Sequence, residues 1–121
     1  MTKRILVVDD DRGMRETLTA ALELDGYAVA AAPDGIAALL MVADDPPALV
    51  ILDLMMPRMD GFTFAEQLAA RGLRERIPLL VLTADGRARE KAALIGAEGW
   101  LAKPFDLSDL LERVNALVGA H

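Results

Sequence analysis

Cysteine is absent from this chain of 121 residues, and long apolar runs are absent as well. Without cysteine the chain can form neither disulfides nor thiolate metal sites. The apolar run nearest the N-terminus covers only residues 5–8. That run is too short for a signal peptide, and no run approaches the roughly 20 residues of a membrane-spanning helix. We therefore expect a cytoplasmic protein that makes no contact with a membrane.

Positive charge and aromatic residues are also scarce. The formal net charge is -6, and nonspecific nucleic-acid binding depends on a basic surface, so we expect no direct nucleic-acid binding. Hydrophobic residues make up 54% of the chain, with only one Trp, one Tyr and three Phe among them. This aliphatic excess favours a parallel sheet packed by helices over an aromatic-rich sandwich. The length fits one compact domain over residues 1–121.

Short apolar runs alternate along the chain with helical patterns. The runs predict five strands, at residues 5–8, 27–31, 49–52, 78–83 and 98–102. The helical patterns between and after them predict five helices, at residues 12–25, 33–43, 62–71, 85–95 and 107–118. Strands that alternate with helices indicate an α/β fold of three layers, in which helices cover both faces of a parallel sheet.

Chemically reactive side chains follow several of the predicted strands. Function in such sheets gathers at the carboxyl ends of the strands, and the residues there are Asp9, Asp10, Asp53, Thr83 and Lys103. Carboxylates gathered in one cleft repel each other, and a hard divalent cation such as Mg²⁺ relieves that repulsion. A carboxylate can also be the nucleophile in phosphoryl transfer. Asp53 follows the central strand of the set and is the best candidate for that role.

Each of these residues also has an ordinary structural interpretation. The acidic residues at positions 9–11 fit a solvated strand end, and we assign Asp11 to the cap of the following helix. Asp53 fits a polar end to a strand, Thr83 is a common strand residue, and Lys103 fits an exposed loop. The functional interpretation depends on finding these residues together.

Five short motifs occur in order and at compatible spacing, and together they resemble the receiver domain of bacterial two-component response regulators. The resemblance runs from residue 4 to about residue 118 and is carried by Val7-Val8-Asp9-Asp10, Asp53-Leu54-Met55-Met56-Pro57, Asp60-Gly61, Thr83-Ala84 and Lys103-Pro104-Phe105. It implies a flavodoxin-like five-stranded parallel sheet in the order 2-1-3-4-5. It also implies a cis peptide bond between Lys103 and Pro104, consistent with the confinement of cis bonds to proline.

The resemblance implies a role for each site residue by position. Asp53 resembles the phosphoacceptor, which would receive a phosphoryl group from a histidine kinase or phosphotransfer protein. Mg²⁺ would be held by Asp9, Asp10, Asp53 and the backbone carbonyl of Met55. Thr83 and Lys103 resemble the pair that binds the phosphoryl group. The chain would then be a signalling switch. It would not be an enzyme, except that it would assist its own phosphoryl transfer and dephosphorylation.

The readout face implied by the resemblance comprises the fourth helix, the fifth strand and the fifth helix, which would bind a downstream protein target. Trp100 stands where the family usually carries Tyr, Phe or His, whose ring moves inward when the threonine shifts. Gly99 stands where this face usually carries an acidic residue that pairs across a dimer, so a weak homodimer is left open. Met55 and Asp85 flank the site and are candidates for tuning hydrolysis.

Three other functions compete with this interpretation. A phosphatase with an aspartate nucleophile would need a second Asp two residues after Asp53, where Met55 stands. A flavin-binding electron carrier of the same topology would need a first loop that cradles phosphate, and the acidic residues at positions 9–11 would repel it. A receiver that docks without phosphorylation is the remaining alternative.

Overall fold

The structure, a computed structural model, describes residues 3–56, 58–84 and 86–119. The strands are β1 (Arg4–Val8), β2 (Ala28–Ala32), β3 (Leu49–Asp53), β4 (Leu79–Thr83) and β5 (Gly99–Ala102). The helices are α1 (Arg12–Leu24), α2 (Gly35–Asp44), α3 (Gly61–Ala70), α4 (Ala88–Ile95) and α5 (Leu107–Val118). A short 3₁₀ turn, Arg74–Arg76, precedes β4.

All strand pairings are parallel, and the sheet order is β2-β1-β3-β4-β5. The expected α/β fold and strand order are therefore confirmed. The carboxyl ends of all five strands lie along one edge of the sheet, which we call the strand-end rim. Because β3 lies between β1 and β4, its last residue, Asp53, is flanked by the ends of two neighbouring strands.

Successive residues of the central strands point to opposite faces of the sheet, and each face has its own apolar core. In β1, Ile5 and Val7 join the core on one face, whereas Leu6 and Val8 join the core on the other. The first core is completed by residues of α1 and α5, among them Leu18, Leu22, Leu110, Val114 and Val118. The second is completed by residues of α2, α3 and α4, among them Leu39, Val42, Phe64, Leu68 and Ala92.

Element boundaries differ from the sequence predictions by a few residues. Tyr27 precedes β2 instead of beginning it. The residue is buried, and its hydroxyl donates a hydrogen bond to Asn115 on α5. Helix α4 begins at Ala88 and not near residue 85, because Gly86 and Arg87 form a turn and Arg87 has non-helical backbone angles. The predicted helix start at Asp85 lies outside the described residues. The 3₁₀ turn carries no buried residue and so left no apolar signal in the sequence.

Two further expectations concern the backbone and the membrane. The Lys103–Pro104 peptide bond is cis, as the resemblance implied. Across the described ranges, none of the helices combines the length and apolar character needed to cross a membrane.

Candidate functional site at the strand-end rim

Asp9 and Asp10 follow β1 directly. The Asp9 amide donates to the Ala32 carbonyl at 3.2 Å, so hydrogen bonding to β2 continues one residue past the strand. The Asp9 side chain is 1% exposed, and its Oδ1 accepts from the Asp11 amide at 2.9 Å. Asp10 is exposed. Asp11 caps α1 by accepting from the Met14 amide at 3.3 Å, which confirms the capping prediction.

Asp53 is the last residue of β3 and is 5% exposed. Its Oδ1 accepts a hydrogen bond from the Met55 amide at 3.1 Å. This contact comes from the loop after β3, so the loop backbone fixes the orientation of the carboxylate. The Met55 side chain is exposed.

Lys103 brings a positive charge to the two buried carboxylates. Its Nζ lies 3.0 Å from Asp9 Oδ2 and 3.6 Å from Asp53 Oδ2. The Lys103 amide also donates to the Thr83 carbonyl at 2.8 Å, which holds the start of the β5–α5 connection against the end of β4. Thr83 itself is fully buried at the end of β4. One ammonium therefore contacts carboxylates from two strands.

The carboxylates of Asp9, Asp10 and Asp53 converge. Each offers an oxygen, and these oxygens all lie within 4.8 Å of one another. An all-oxygen donor set of this kind suits a hard divalent cation, and Mg²⁺ commonly takes one or two carboxylates and keeps several waters. The exposure of Asp10 leaves one side of the cluster open to solvent. The residues present therefore fit Mg²⁺.

Burial, and to a smaller extent the neighbouring carboxylates, change the protonation of Asp53. Burial raises the pKa of Asp53 from 3.8 to about 6, and the Asp9 charge and the Asp10 side chain add to the rise. The Met55 amide and the Lys103 ammonium act in the opposite direction and only partly offset it. Burial disfavours the ammonium form of Lys103, but its contacts with Asp9 and Asp53 outweigh burial, so the pKa of Lys103 is raised. The three carboxylates of the site carry more negative charge than the Lys103 ammonium neutralises.

Trp100 lies on β5 and is half-buried. The Arg113 guanidinium carbon lies 5.7 Å from the centre of the indole ring, within the range of a cation–π contact. Arg113 Nη1 also donates a hydrogen bond to the Trp100 carbonyl. A single α5 side chain therefore contacts both the ring and the backbone of Trp100.

Gly99, the neighbour of Trp100, lies where no side chain fits without movement. A Cβ atom at this position would be 3.1 Å from Leu117 Cδ1 and 3.1 Å from Leu80 Cδ1. The sequence interpretation treated Gly99 as the loss of a charged residue. The structure adds a steric reason, because two leucine side chains occupy the space above the glycine.

One residue near the site was missed from the sequence. Arg15 on α1 is half-buried, and its Nη1 donates to the Asp9 carbonyl at 2.8 Å. In the sequence, Arg15 is a basic residue in the first turn of the helix that follows an acidic strand end. This pattern is too common to indicate a site residue. The motif residue Pro57 and the flanking residue Asp85 lie outside the described residues.

Comparisons with known proteins agree with this geometry. A family model described as the response regulator receiver domain matches residues 5–115. The chain is 48% identical over 120 residues to response regulator MprA of Mycobacterium tuberculosis, an alignment that covers 98% of this chain and 51% of that protein. The chain therefore spans about half the length of the curated relatives it matches.

Solved structures give the same result. The chemotaxis response regulator CheY4 of Vibrio cholerae superposes with a TM-score of 0.89 at 31% identity, covering 97% of this chain and 99% of that one. The response regulator TrrA of Thermotoga maritima, solved in complex with Mg²⁺ and BeF, gives a TM-score of 0.86 at 33% identity, covering 96% and 99%.

A parallel α/β sheet with acidic residues along its strand-end rim defines the class of fold to which the chain belongs. Within that class, this chain belongs to the response regulator receiver domain family. Receiver domains act in two-component signalling, and the described site and fold are consistent with that process.

Proposed function

We propose that the chain is a phosphorylation-dependent signalling switch in which Asp53 accepts a phosphoryl group. The observation that carries this proposal is the convergence of Asp9, Asp10 and Asp53, with oxygens within 4.8 Å of one another, and of the Lys103 ammonium beside them. Mg²⁺ would be held by these three carboxylates and the Met55 carbonyl. When bound, Mg²⁺ supplies positive charge that offsets the carboxylates and the transferring phosphoryl group.

In the reaction at Asp53, a phosphoryl group is transferred from a histidine nitrogen to a carboxylate oxygen. An Asp53 carboxylate oxygen attacks the phosphorus of a phosphohistidine, an oxygen–phosphorus bond forms, and the nitrogen–phosphorus bond breaks with the electron pair leaving on the histidine nitrogen. The Met55 amide orients the attacking carboxylate, and the Lys103 ammonium lies 3.6 Å from it, where it can bind a phosphoryl oxygen. Thr83 donates a hydrogen bond to another phosphoryl oxygen. These tasks are positional and electrostatic.

The donor in this proposal is a histidine kinase or a phosphotransfer protein. Residues 1–121 form one receiver domain, which acts in the cytoplasm, contacts neither membrane nor nucleic acid itself, and is not a turnover enzyme. The output passes to a downstream protein through the face formed by α4, β5 and α5. Phosphorylation shifts the population between two states because only the phosphorylated form makes the new contact with Thr83. The Trp100 ring changes position with this shift.

The proposal is tested with a small phosphodonor and three forms of the chain. Wild type is expected to acquire one phosphoryl group in Mg²⁺ and none in EDTA. Asp53→Ala is expected to remain unlabelled under both conditions, whereas Glu66→Gln, which removes an exposed carboxylate from α3, is expected to behave as wild type. Persistent Mg²⁺-dependent labelling of Asp53→Ala would exclude Asp53 as the acceptor. A wild-type chain that stays unlabelled would favour a receiver that docks without phosphorylation.

A further inference from the structure

In the connection between β3 and α3, Arg58 contacts the N-terminus of α2 through an ion pair. Arg58 Nη2 lies 3.6 Å from Asp34 Oδ2. The Asp34 side chain is only 8% exposed, and its other oxygen, Oδ1, accepts from the Ala37 amide at 2.9 Å and caps α2. Both oxygens of this buried carboxylate are thus engaged, one by its own helix and one by the loop. The Arg58 side chain is itself 72% exposed, so the pair joins an exposed guanidinium to a buried carboxylate.

Close packing joins the same two segments a second time. A Cβ atom on Gly35, the first residue of α2, would lie 2.8 Å from Met59 Sδ and 2.9 Å from Met59 Cγ. The Met59 side chain therefore occupies the space where any other residue at position 35 would place its side chain. This contact does not involve the ion pair. It fixes the chain at Met59, the residue that follows Arg58.

The backbone of Arg58 is also unusual. Within the described ranges, Arg58 is the one non-glycine residue with a positive φ, at 65°. Residues with a Cβ seldom adopt this left-handed region, and they hold it only where the surroundings determine it. The Asp34 contact is made by Arg58 itself, and the Met59 packing comes from the next residue in the chain.

The other end of the loop is closed against β3. The Gly61 amide donates to the Leu54 carbonyl at 3.1 Å, and a Cβ on Gly61 would lie 2.9 Å from Leu54 Cα. Met55 lies between this closed end and Arg58. Its amide donates to Asp53 Oδ1, so its position decides where the carboxylate points. Met55 and Arg58 thus belong to the same short connection between β3 and α3, whose two ends are joined by the Leu54–Gly61 hydrogen bond.

On the α2 side of the contact, Asp34 lies close in the chain to the end of β2, which is hydrogen-bonded to Asp9. The Ala32 carbonyl at the end of β2 accepts the Asp9 amide at 3.2 Å, and Asp34 follows two residues later. The Arg58–Asp34 pair thus connects the segment beside Asp9 with the segment that holds Asp53.

We propose that Arg58 and Asp34 form a latch that positions Met55 and thereby sets both the metal affinity of the site and the reactivity of Asp53. Arg58 is a positioning residue that acts through Met55. This inference rests on the proposed function, because it names a determinant of the same phosphoryl-transfer site.

The test is a double-mutant cycle with two readouts. Arg58→Met removes the cation and keeps an unbranched chain, and Asp34→Asn removes the charge but keeps an oxygen for the Ala37 amide. Arg58→Lys restores the charge, and Arg71→Met removes an exposed arginine at the far end of α3 as the matched control. For each folded chain, the dissociation constant for Mg²⁺ is measured by calorimetry, and the rate of labelling by acetyl phosphate is measured at saturating Mg²⁺.

Each single variant is expected to weaken Mg²⁺ binding roughly ten-fold, the scale seen when a residue that orients a metal ligand is removed. The double variant is expected to lose no more than the larger single loss, because the two residues act as one unit. Arg58→Lys should recover most of the loss, and Arg71→Met should match wild type. Should Asp34→Asn fail to fold, the comparison of Arg58→Met with Arg58→Lys decides the question.

Two results would overturn the latch alone, given a wild-type chain that is labelled on Asp53. One is an Arg58→Met chain whose Mg²⁺ affinity and labelling rate both stay within about two-fold of wild type. The other is a double variant whose loss is the product of the two single losses. A wild-type chain that is not labelled at all would instead overturn the proposed function, and the positional role with it.

Discussion

Replacing Asp53 with asparagine should stabilise the metal-free domain. The pKa of Asp53 is raised from 3.8 to about 6, so ionisation of this buried carboxylate opposes folding in the absence of a cation. Each unit of pKa shift corresponds to about 1.4 kcal/mol, which makes the cost at neutral pH roughly 3 kcal/mol. Asparagine is close in size and uncharged. Its amide lacks the Lys103 contact, so we expect a gain in unfolding free energy of about 1 to 3 kcal/mol in Asp53→Asn.

The pH dependence of this gain has a defined sign. Between pH 3.8 and about 6 the folded chain keeps the Asp53 proton more tightly than the unfolded chain does. Stability of the wild type therefore falls relative to the variant as the pH rises through this window, and the full difference is present above it. Below 3.8 both states are protonated and the difference disappears.

Urea unfolding in EDTA measures this effect directly. The difference in unfolding free energy between Asp53→Asn and wild type is expected to be largest at about pH 7.5 and to fall to about half at about pH 5. Glu66→Gln, with an exposed side chain, should show no comparable pH dependence. A variant that is less stable than wild type at neutral pH, or a difference that does not change with pH, would refute the assignment of unbalanced charge to this site.

Four further predictions concern the metal site, Lys103, Gly99 and Arg113. Mg²⁺ should stabilise wild type against unfolding by about 2.7 kcal/mol at a hundred times its dissociation constant. Lys103→Met should be labelled more slowly by acetyl phosphate but should still bind Mg²⁺, as measured by calorimetry. Unimpaired labelling of this variant would exclude the lysine from the transfer step. Gly99→Asp should lower the urea unfolding free energy by about 1 to 3 kcal/mol because Leu80 and Leu117 fill the space, and an unchanged value would contradict this. Arg113→Ala should change the fluorescence of Trp100 in the resting chain, since the guanidinium lies over its ring, and an identical spectrum would argue against that contact in solution.

Much of the fold followed from local patterns in the sequence. Alternation of apolar runs with helical patterns predicts the parallel sheet, because a strand buried on both faces reads as a continuous apolar run, as in residues 49–52. The placement of Asp9, Asp53 and Lys103 together then follows from topology alone, since parallel strands end at the same edge. Strand order was implied by family resemblance and not by periodicity.

What the sequence did not predict are contacts between side chains distant in the chain. Asp34 and Arg58 are 24 positions apart, and neither lies in a pattern that indicates an ion pair. Arg113 and Trp100 meet only because α5 packs beside β5. Such contacts depend on the packing of whole elements, whereas periodicity and turn chemistry report on the local chain.

The central claim, that Asp53 is the phosphoacceptor, is tested most directly by locating the phosphoryl group. The wild-type chain is treated with acetyl phosphate and Mg²⁺, digested under conditions that preserve acyl phosphates, and its peptides are examined by mass spectrometry. The account predicts one added phosphoryl group on Asp53 and none when EDTA replaces Mg²⁺. A phosphoryl group on any other residue, or one acquired equally well in EDTA, would contradict it.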